Sequence, residues 1–349
     1  MKKIKLSCAH AIVKHLISQK ILIDGKKEPL FAGAFGIFGH GNVACLGQAL
    51  EENKDKLPTW RGHHEQNMAL TGIAYARAKR RKQIFVATSS VGPGSTNMIT
   101  AAAVAMSNRL PILFLPGDTF ANRMPDPVLQ QVEHFNNPGI TQNDAFKPVV
   151  RYFDRITRPE QIIASLPQAI EVMLDPADCG PACISLSQDV QGENYEYPEE
   201  FFKERIHTIR RPKPDDYQIK LAAELIKKYR KIEIAQLSSN PPSKNVIDQV
   251  INLINQSKRP VIISGHGVIR SNGTDALLEC AQLLGAPVAT SRSGIGSINS
   301  SSEHSIGMLG FYGTSTASEA VSSADLLLVI GCSLGEQTTY GWKPDLFAE

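Results

Sequence analysis

The chain of 349 residues is poor in aromatic side chains, at 7% of the total with 2 tryptophans. It contains no apolar run near the roughly 18 residues that a membrane-spanning helix needs. Met1-Lys2-Lys3-Ile4 does not lead into a secretory h-region either. A formal charge of +3 is too small for the electrostatic footprint that nucleic acid or a membrane surface requires, so neither is expected as a partner. The cysteines at 8, 45, 179, 183, 280 and 332 have no disulfide-framework spacing. Cys179 and Cys183 flank Gly180-Pro181 at the head of a strand, with no histidine or second cysteine pair nearby, which argues against zinc. These absences lead to the expectation of a reduced, cytoplasmic protein with no metal ligands of its own. The one strong basic cluster, Lys79-Arg80-Arg81-Lys82, falls where a helix should end. Positive charge there favours the helix dipole, so a solvated helix end is expected.

What is present is an alternation of strand and helix patterns, which predicts an α/β fold of two doubly wound, mostly parallel sheets. Ala9, Ile12, Val13 and Leu16 repeat with helical period. Helices are expected over 42–52, 65–78, 96–107 and 128–134 and from behind Pro159 to Leu174. Strands are expected over 30–35, 84–88, 112–116, 149–152 and 182–186. Glutamates and prolines from 191 to 216 read as a linker between a first domain, 1–190, and a second, 217–349. Strands at 261–264, 287–289 and 326–330 and a helix at 274–284 are expected in the second domain. That domain looks incomplete at Trp342-Lys343-Pro344-Asp345.

The densest signal runs from Trp60 to Asp118. His63-His64-Glu65-Gln66 opens one helix, and Ser89-Ser90-Val91-Gly92-Pro93-Gly94-Ser95-Thr96-Asn97 joins a strand to the next helix. Glycine lets backbone approach a flat ligand and proline stiffens the bend, at the kind of strand-to-helix crevice where open α/β sheets bind ligands. No Lys-Ser or Lys-Thr follows, which excludes a P-loop. Gly265-His266-Gly267 is a weaker turn, with Arg270 where a dinucleotide fingerprint needs its third glycine. Glu65 alone reads as a first-turn helix acid, His63 and His64 alone as loop or capping residues, and His40 alone as a structural hydrogen-bonding group.

Taken in order, these features resemble the pyrimidine-binding domain of thiamine-diphosphate enzymes of the acetolactate synthase superfamily. The resemblance rests on His64-Glu65-Gln66, Gly72-Ile73-Ala74-Tyr75-Ala76-Arg77, Val91 to Asn97, and Asn108-Arg109-Leu110-Pro111-Ile112-Leu113. Trp60-Arg61-Gly62-His63, Leu115 to Ala121, Asp126 to Gln131 and Phe146 to Ile156 resemble the branch of hydrolases that open a cyclic diketone in inositol breakdown. The resemblance is dense from Lys5 to Pro214 and looser beyond.

The resemblance implies a pyrimidine-binding domain followed by a central domain, with thiamine diphosphate and magnesium as cofactors. It implies that Glu65, as a protonated and desolvated carboxyl, hydrogen-bonds the aminopyrimidine ring and shifts its tautomer. Gly92, Pro93, Gly94 and Asn97 would line that ring. His40 and His64 are candidates for proton transfer to the substrate, a small cyclic diketone. The diphosphate and metal ligands of the superfamily lie in a third domain. Gly117-Asp118 and Asn136-Asn137 imitate its pieces at the wrong spacing. The chain alone is therefore expected to be inactive, pairing with a second copy through the pyrimidine domain or with a separately encoded half. An acetolactate synthase-like carboligase acting on pyruvate, a non-catalytic partner, and a nucleotide-binding protein remain as alternatives. An extra helical hairpin is expected between Asp215 and Pro260.

Overall fold

Ile84 to Ser89 is buried along its whole length, as a central strand covered on both faces must be. The computed structural model describes residues 2–123, 129–132, 134, 136–209, 244–341 and 346. They fall into two compact units, Met1–Arg210 and Arg211–Glu349. Residues 215–243 and 342–345 lie outside the described set, and with them most of the expected hairpin and the segment ending at Asp345.

The first unit runs β1 (Lys3–Ser7), α1 (Cys8–Ser18), β2 (Gln19–Ile23), β3 (Lys26–Pro29), β4 (Phe31–Ile37), α2 (Gly39–Asn42), a π turn (Val43–Gly47), α3 (Gln48–Glu51) and β5 (Thr59–Arg61). It continues with α4 (Glu65–Ala78), β6 (Ile84–Ser89), α5 (Pro93–Thr96), α6 (Ile99–Asn108), β7 (Leu113–Phe114), β8 (Gly117–Asp118) and a 3-10 helix (Gln142–Val149). β9 (Tyr152–Ile156), α7 (Ile162–Leu174), β10 (Ala182–Ser187), β11 (Asn194–Pro198) and β12 (Arg205–His207) follow. The main sheet has the order β5-β4-β6-β7-β10, with β8 and β9 also on β10, and every pairing in it is parallel. β7 and β8 pair with successive parts of β10 and are separated by Leu115-Pro116.

Period-two alternation gives each face its own core. Val86, Leu113, Ala182 and Ile184 face a cluster with Ile12, Leu16, Leu50, Leu166 and Ile170. Ala87, Phe114 and Cys183 face a second with Met68, Ile73, Ala101, Ala102, Ala105 and Phe146. Gly72 lets α4 lie close to the sheet, since a Cβ there would sit 2.9 Å from that of Phe85.

Several expected boundaries move. The helix expected from Asn42 starts at Gly39 and carries the π turn. The helix expected from Thr96 begins at Pro93 and breaks before Ile99, with proline filling a first-turn position whose N–H would have no intrahelical partner. Residues 129–132 of the helix expected at 128–134 are turn and coil. The strand expected at 149–152 lies at Tyr152–Ile156, because Val149 closes the 3-10 helix that holds Pro148. The expected linker contains two ordered strands. β11 pairs antiparallel with β1, and β12 pairs with β2 in a small sheet with β3. Short edge strands are polar, so their glutamates read as linker. In the basic cluster Arg81 is buried and Lys82 meets Asp24 at 3.2 Å, so it is only partly a solvated helix end.

The second unit runs α8 (Lys244–Ile254), β13 (Pro260–Ser264), α9 (His266–Arg270), α10 (Thr274–Leu284), β14 (Val288–Thr290), β15 (Ser305–Met308), α11 (Ser315–Ser323) and β16 (Leu326–Ile330). Its sheet has the order β15-β14-β13-β16, all parallel. Ile262 and Val288 pack with Leu277 and Ala281 on one face, and Val261, Ile263 and Ala289 with Ala317 and Val321 on the other. Gly265 serves backbone packing: a Cβ there would stand 2.1 Å from the carbonyl oxygen of Gly331. The Gly267 N–H also donates to that carbonyl at 2.9 Å.

Candidate functional site

From β4 the chain moves outward to β5 and returns through α4 to β6 on the other side of β4. The carboxyl ends of β4 and β6 therefore diverge at a topological switch point, where open α/β sheets leave a crevice. That crevice, about 680 Å³, is lined by Ile37, Gly39, Glu65, Ser90, Pro93, Gly94, Thr96, Asn97 and Gln130. Its volume falls within the range of small-molecule sites, roughly 300–1,000 Å³.

Glu65 is the first residue of α4, and His64 caps that helix, its Nδ1 accepting from the Asn67 N–H at 3.4 Å. A carboxylate at this end of a helix is stabilised by the dipole. Glu65 is half-buried, and its Oε2 accepts from Asn97 Nδ2 at 2.7 Å. Its Oε1 lies 3.4 Å from the position a Cβ would take on Gly94. The carboxylate is thus fixed by one amide and presented to the floor of the bend. Gly92 has φ +75°, and a Cβ on it would stand 1.8 Å from the Gln130 carbonyl oxygen. Only glycine can hold that backbone and admit that neighbour.

Beneath the bend lies a buried polar network. Ser95 Oγ donates to Asn143 Oδ1 at 2.6 Å, and Asn143 Nδ2 donates to Gly117 O at 2.9 Å and Ser185 Oγ at 2.7 Å. Ser185 donates to Asp118, which is fully buried and bonded at 2.8 Å by Arg155 Nε. Arg155 also reaches Asp144 and Thr141, each at 2.8 Å. Burial opposes the charge on Arg155, yet the adjacent Asp118 and Asp144 carboxylates raise its pKa above the ordinary value. Burial likewise opposes ionisation of Asp144, but Lys147, the Thr141 N–H and Arg155 hold its pKa below the usual carboxylate range. On the other side Asn42 Nδ2 donates to Thr88 Oγ1 at 2.8 Å and Ser89 O at 2.7 Å, and Gln191 Nε2 donates to Asn42 Oδ1 at 3.0 Å. The bend is held from below by paired groups, as buried polar atoms require.

Of the residues singled out from the sequence, Glu65, Pro93, Gly94 and Asn97 share the crevice. Gly92 supports it from behind. His40 follows the lining residue Gly39 and is half-buried, and its Nε2 is buried without a hydrogen-bond partner. His64 is exposed and engaged in capping, so neither histidine ring is among the lining groups. Sequence reasoning passed over Ser90 and Gln130 as lining residues and over Asn143 and Arg155 beneath them. Ser90 was signalled by its place beside the glycine bend, and Gln130 and Arg155 only by lying in stretches that carry the resemblance, with no role attached. Asp118 is an ion-pair partner in the core, consistent with its reading as a false metal signal.

Residues 20–137 match the family model described as thiamine pyrophosphate enzyme, N-terminal TPP binding domain, and residues 247–349 match the central domain of the same enzymes. The chain carries the N-terminal and central domains of the thiamine pyrophosphate enzymes. Among similar proteins, the 3D-(3,5/4)-trihydroxycyclohexane-1,2-dione hydrolase of Shouchella clausii is 43% identical over 95% of this chain and 47% of its own length. Proteins of the same name from Clostridium tetani and Bacillus subtilis are each 42% identical, over 97% and 95% of this chain and 48% and 47% of their own lengths. The chain spans about half the length of these curated relatives. The crevice falls in the first of the two matched domains. Among the described residues, no helix is long and apolar enough to cross a membrane.

Proposed function

We propose that this crevice takes the aminopyrimidine end of thiamine diphosphate. We further propose that the chain acts in hydrolytic opening of trihydroxycyclohexane-1,2-dione, a carbon–carbon cleavage giving a 5-deoxy sugar acid in inositol breakdown. The observation that carries the reading is the Glu65 carboxylate, held by Asn97 at 2.7 Å against the bend Gly92-Pro93-Gly94. The relatives' shared name supports the substrate.

The residues fit the group. A flat heterocycle needs an approach free of side chains, which Gly94 and the edge of Pro93 give, and a carboxyl group at one ring nitrogen, which Glu65 gives. Bound thiamine diphosphate supplies a carbon nucleophile and an electron sink. Glu65 would hold the ring nitrogen para to the amino-bearing carbon, with its carboxyl plane fixed by Asn97. Ile37 keeps one wall of the crevice apolar, which strengthens the hydrogen bonds inside it. His40 adjoins the lining residue Gly39 and is the candidate for proton transfer with the substrate oxygen, a role that requires its buried Nε2 to turn into the crevice. His64 keeps its capping bond.

The lining residues include no lysine or arginine, and the described residues include no cluster of three or more His, Cys, Asp or Glu able to hold a metal ion. Diphosphate and magnesium are assigned to a surface outside this crevice. The crevice alone should not distinguish thiamine from its diphosphate, and the chain alone should not turn over the diketone. Titration with thiamine, and with thiamine diphosphate plus magnesium, tests this. Equal, weak affinities are expected. A micromolar Kd for the diphosphate form alone refutes the assignment.

A further inference from the structure

The polar side chains of the crevice are unequally engaged. Glu65 and Asn97 bond each other, and Thr96 Oγ1 donates to Pro93 O at 3.0 Å. Ser90 and Gln130 also line the crevice, joined by a hydrogen bond of 3.5 Å from Ser90 Oγ to Gln130 Oε1. Ser90 is held in place from the other side, because Gly39 (φ +51°) leaves room for it: a Cβ there would sit 2.5 Å from Ser90 Oγ. Gln130 is held by its own backbone, whose carbonyl oxygen seats against Gly92. It has φ +64°, a left-handed conformation that a side-chain-bearing residue adopts at a cost. Its amide nitrogen donates to no described side chain.

Resting on the cofactor reading above, we infer that Gln130, braced by Ser90, is the specificity-determining residue that recognises the hydroxyl groups of a polyhydroxylated cyclic ketone. The chemistry fits. A vicinal diol or α-hydroxyketone offers a donor and an acceptor side by side, and a primary amide answers both without bringing charge into the crevice. A site that pairs hydroxyls rejects analogues lacking them, since its own polar groups are then left unpaired. Glu65 and Asn97 take the flat ring of the cofactor, and Gln130, bonded by Ser90, takes the substrate.

Ligand-observed NMR on the whole chain tests this, with thiamine and a pentahydroxycyclohexanone as separate probes and cyclohexanone as the control lacking hydroxyls. Gln130→Leu should weaken the hydroxylated ketone about tenfold while leaving thiamine affinity within about twofold. Ser90→Ala should weaken the same ketone in the same direction. Unchanged ketone affinity in Gln130→Leu overturns the inference, as does wild-type binding of cyclohexanone equal to that of the hydroxylated ketone, or no wild-type binding of the latter. Equal losses for both ligands overturn it too, because they mark a collapsed crevice. A wild-type chain that binds no thiamine instead sinks the cofactor reading, whatever Gln130→Leu does to the ketone. Matching circular dichroism melts keep folding separate from recognition.

Discussion

A buried neutral His15 makes the first unit lose stability as the pH falls from about 6.5 toward 4. It lies on α1 with 1% of its surface exposed, its ring stacked on Phe201 at 4.1 Å between centroids. Nδ1–H donates to the Phe201 carbonyl at 2.7 Å, and Nε2 is buried without a partner. Burial disfavours the imidazolium and outweighs the hydrogen bond, lowering the pKa from 6.5 to about 4. The unfolded chain therefore takes up this proton as the pH drops below about 6.5, and the folded unit does not until about 4. Stability from a neutral His15 is fully present above 6.5 and is lost as the pH falls toward 4. At about 1.36 kcal/mol per pKa unit the whole loss is about 3 kcal/mol, and about 2 kcal/mol of it should be gone at pH 5. Urea unfolding at pH 7 and pH 5 reads this out, in a Trp342→Phe background so that Trp60 alone reports. His15→Gln keeps a donor for Phe201 but cannot titrate, so its pH dependence should be smaller by about 2 kcal/mol. Equal losses in the two proteins, or a His15 ring that titrates near 6.5 by NMR in the folded chain, refute the reasoning.

Three other perturbations bear on the crevice and its support. Glu65→Ala should abolish measurable thiamine binding while shifting unfolding free energy by less than about 1 kcal/mol, since only a first-turn helix charge and one amide contact are lost; a variant that still binds thiamine normally removes Glu65 from the site. Gly92→Ala forces a side chain into left-handed backbone and against the Gln130 carbonyl. It should cost about 2–4 kcal/mol in denaturant unfolding, and thiamine affinity should fall with it. Asp118→Asn removes the fully buried one of Arg155's two counter-charges, leaving Asp144, and should cost about 2 kcal/mol by the same assay; a loss below about 0.5 kcal/mol shows the pair to be incidental.

Legibility in the sequence followed how local each signal is. α4 was readable to the residue because its cap, first-turn acid and apolar period lie within one stretch. β6 and β10 were readable because strands buried on both faces are continuous apolar runs. In the second unit β15 and α11 left little trace. Ser305–Met308 is four half-buried residues with a central glycine, and Ser315–Ser323 buries only Ala317 and Val321. β1, β11 and β12 are polar edge strands, and their pairing joins residues nearly the length of the unit apart. The crevice was half legible. Glu65 and the glycine bend are dense motifs, whereas Gln130 arrives from a loop, and Asp118 meets Arg155 across 37 positions. No window of sequence shows that such residues will touch.

The antiparallel clasp at the edge of the first unit has a use in engineering. Lys3 lies opposite Pro198, so the segment between them, which carries every lining residue of the crevice, begins and finishes on neighbouring strands. A segment whose two ends sit side by side can be grafted into a host loop, or its ends joined and reopened elsewhere, without pulling on the interior. Nature could move such a cassette between longer polypeptides with its crevice intact.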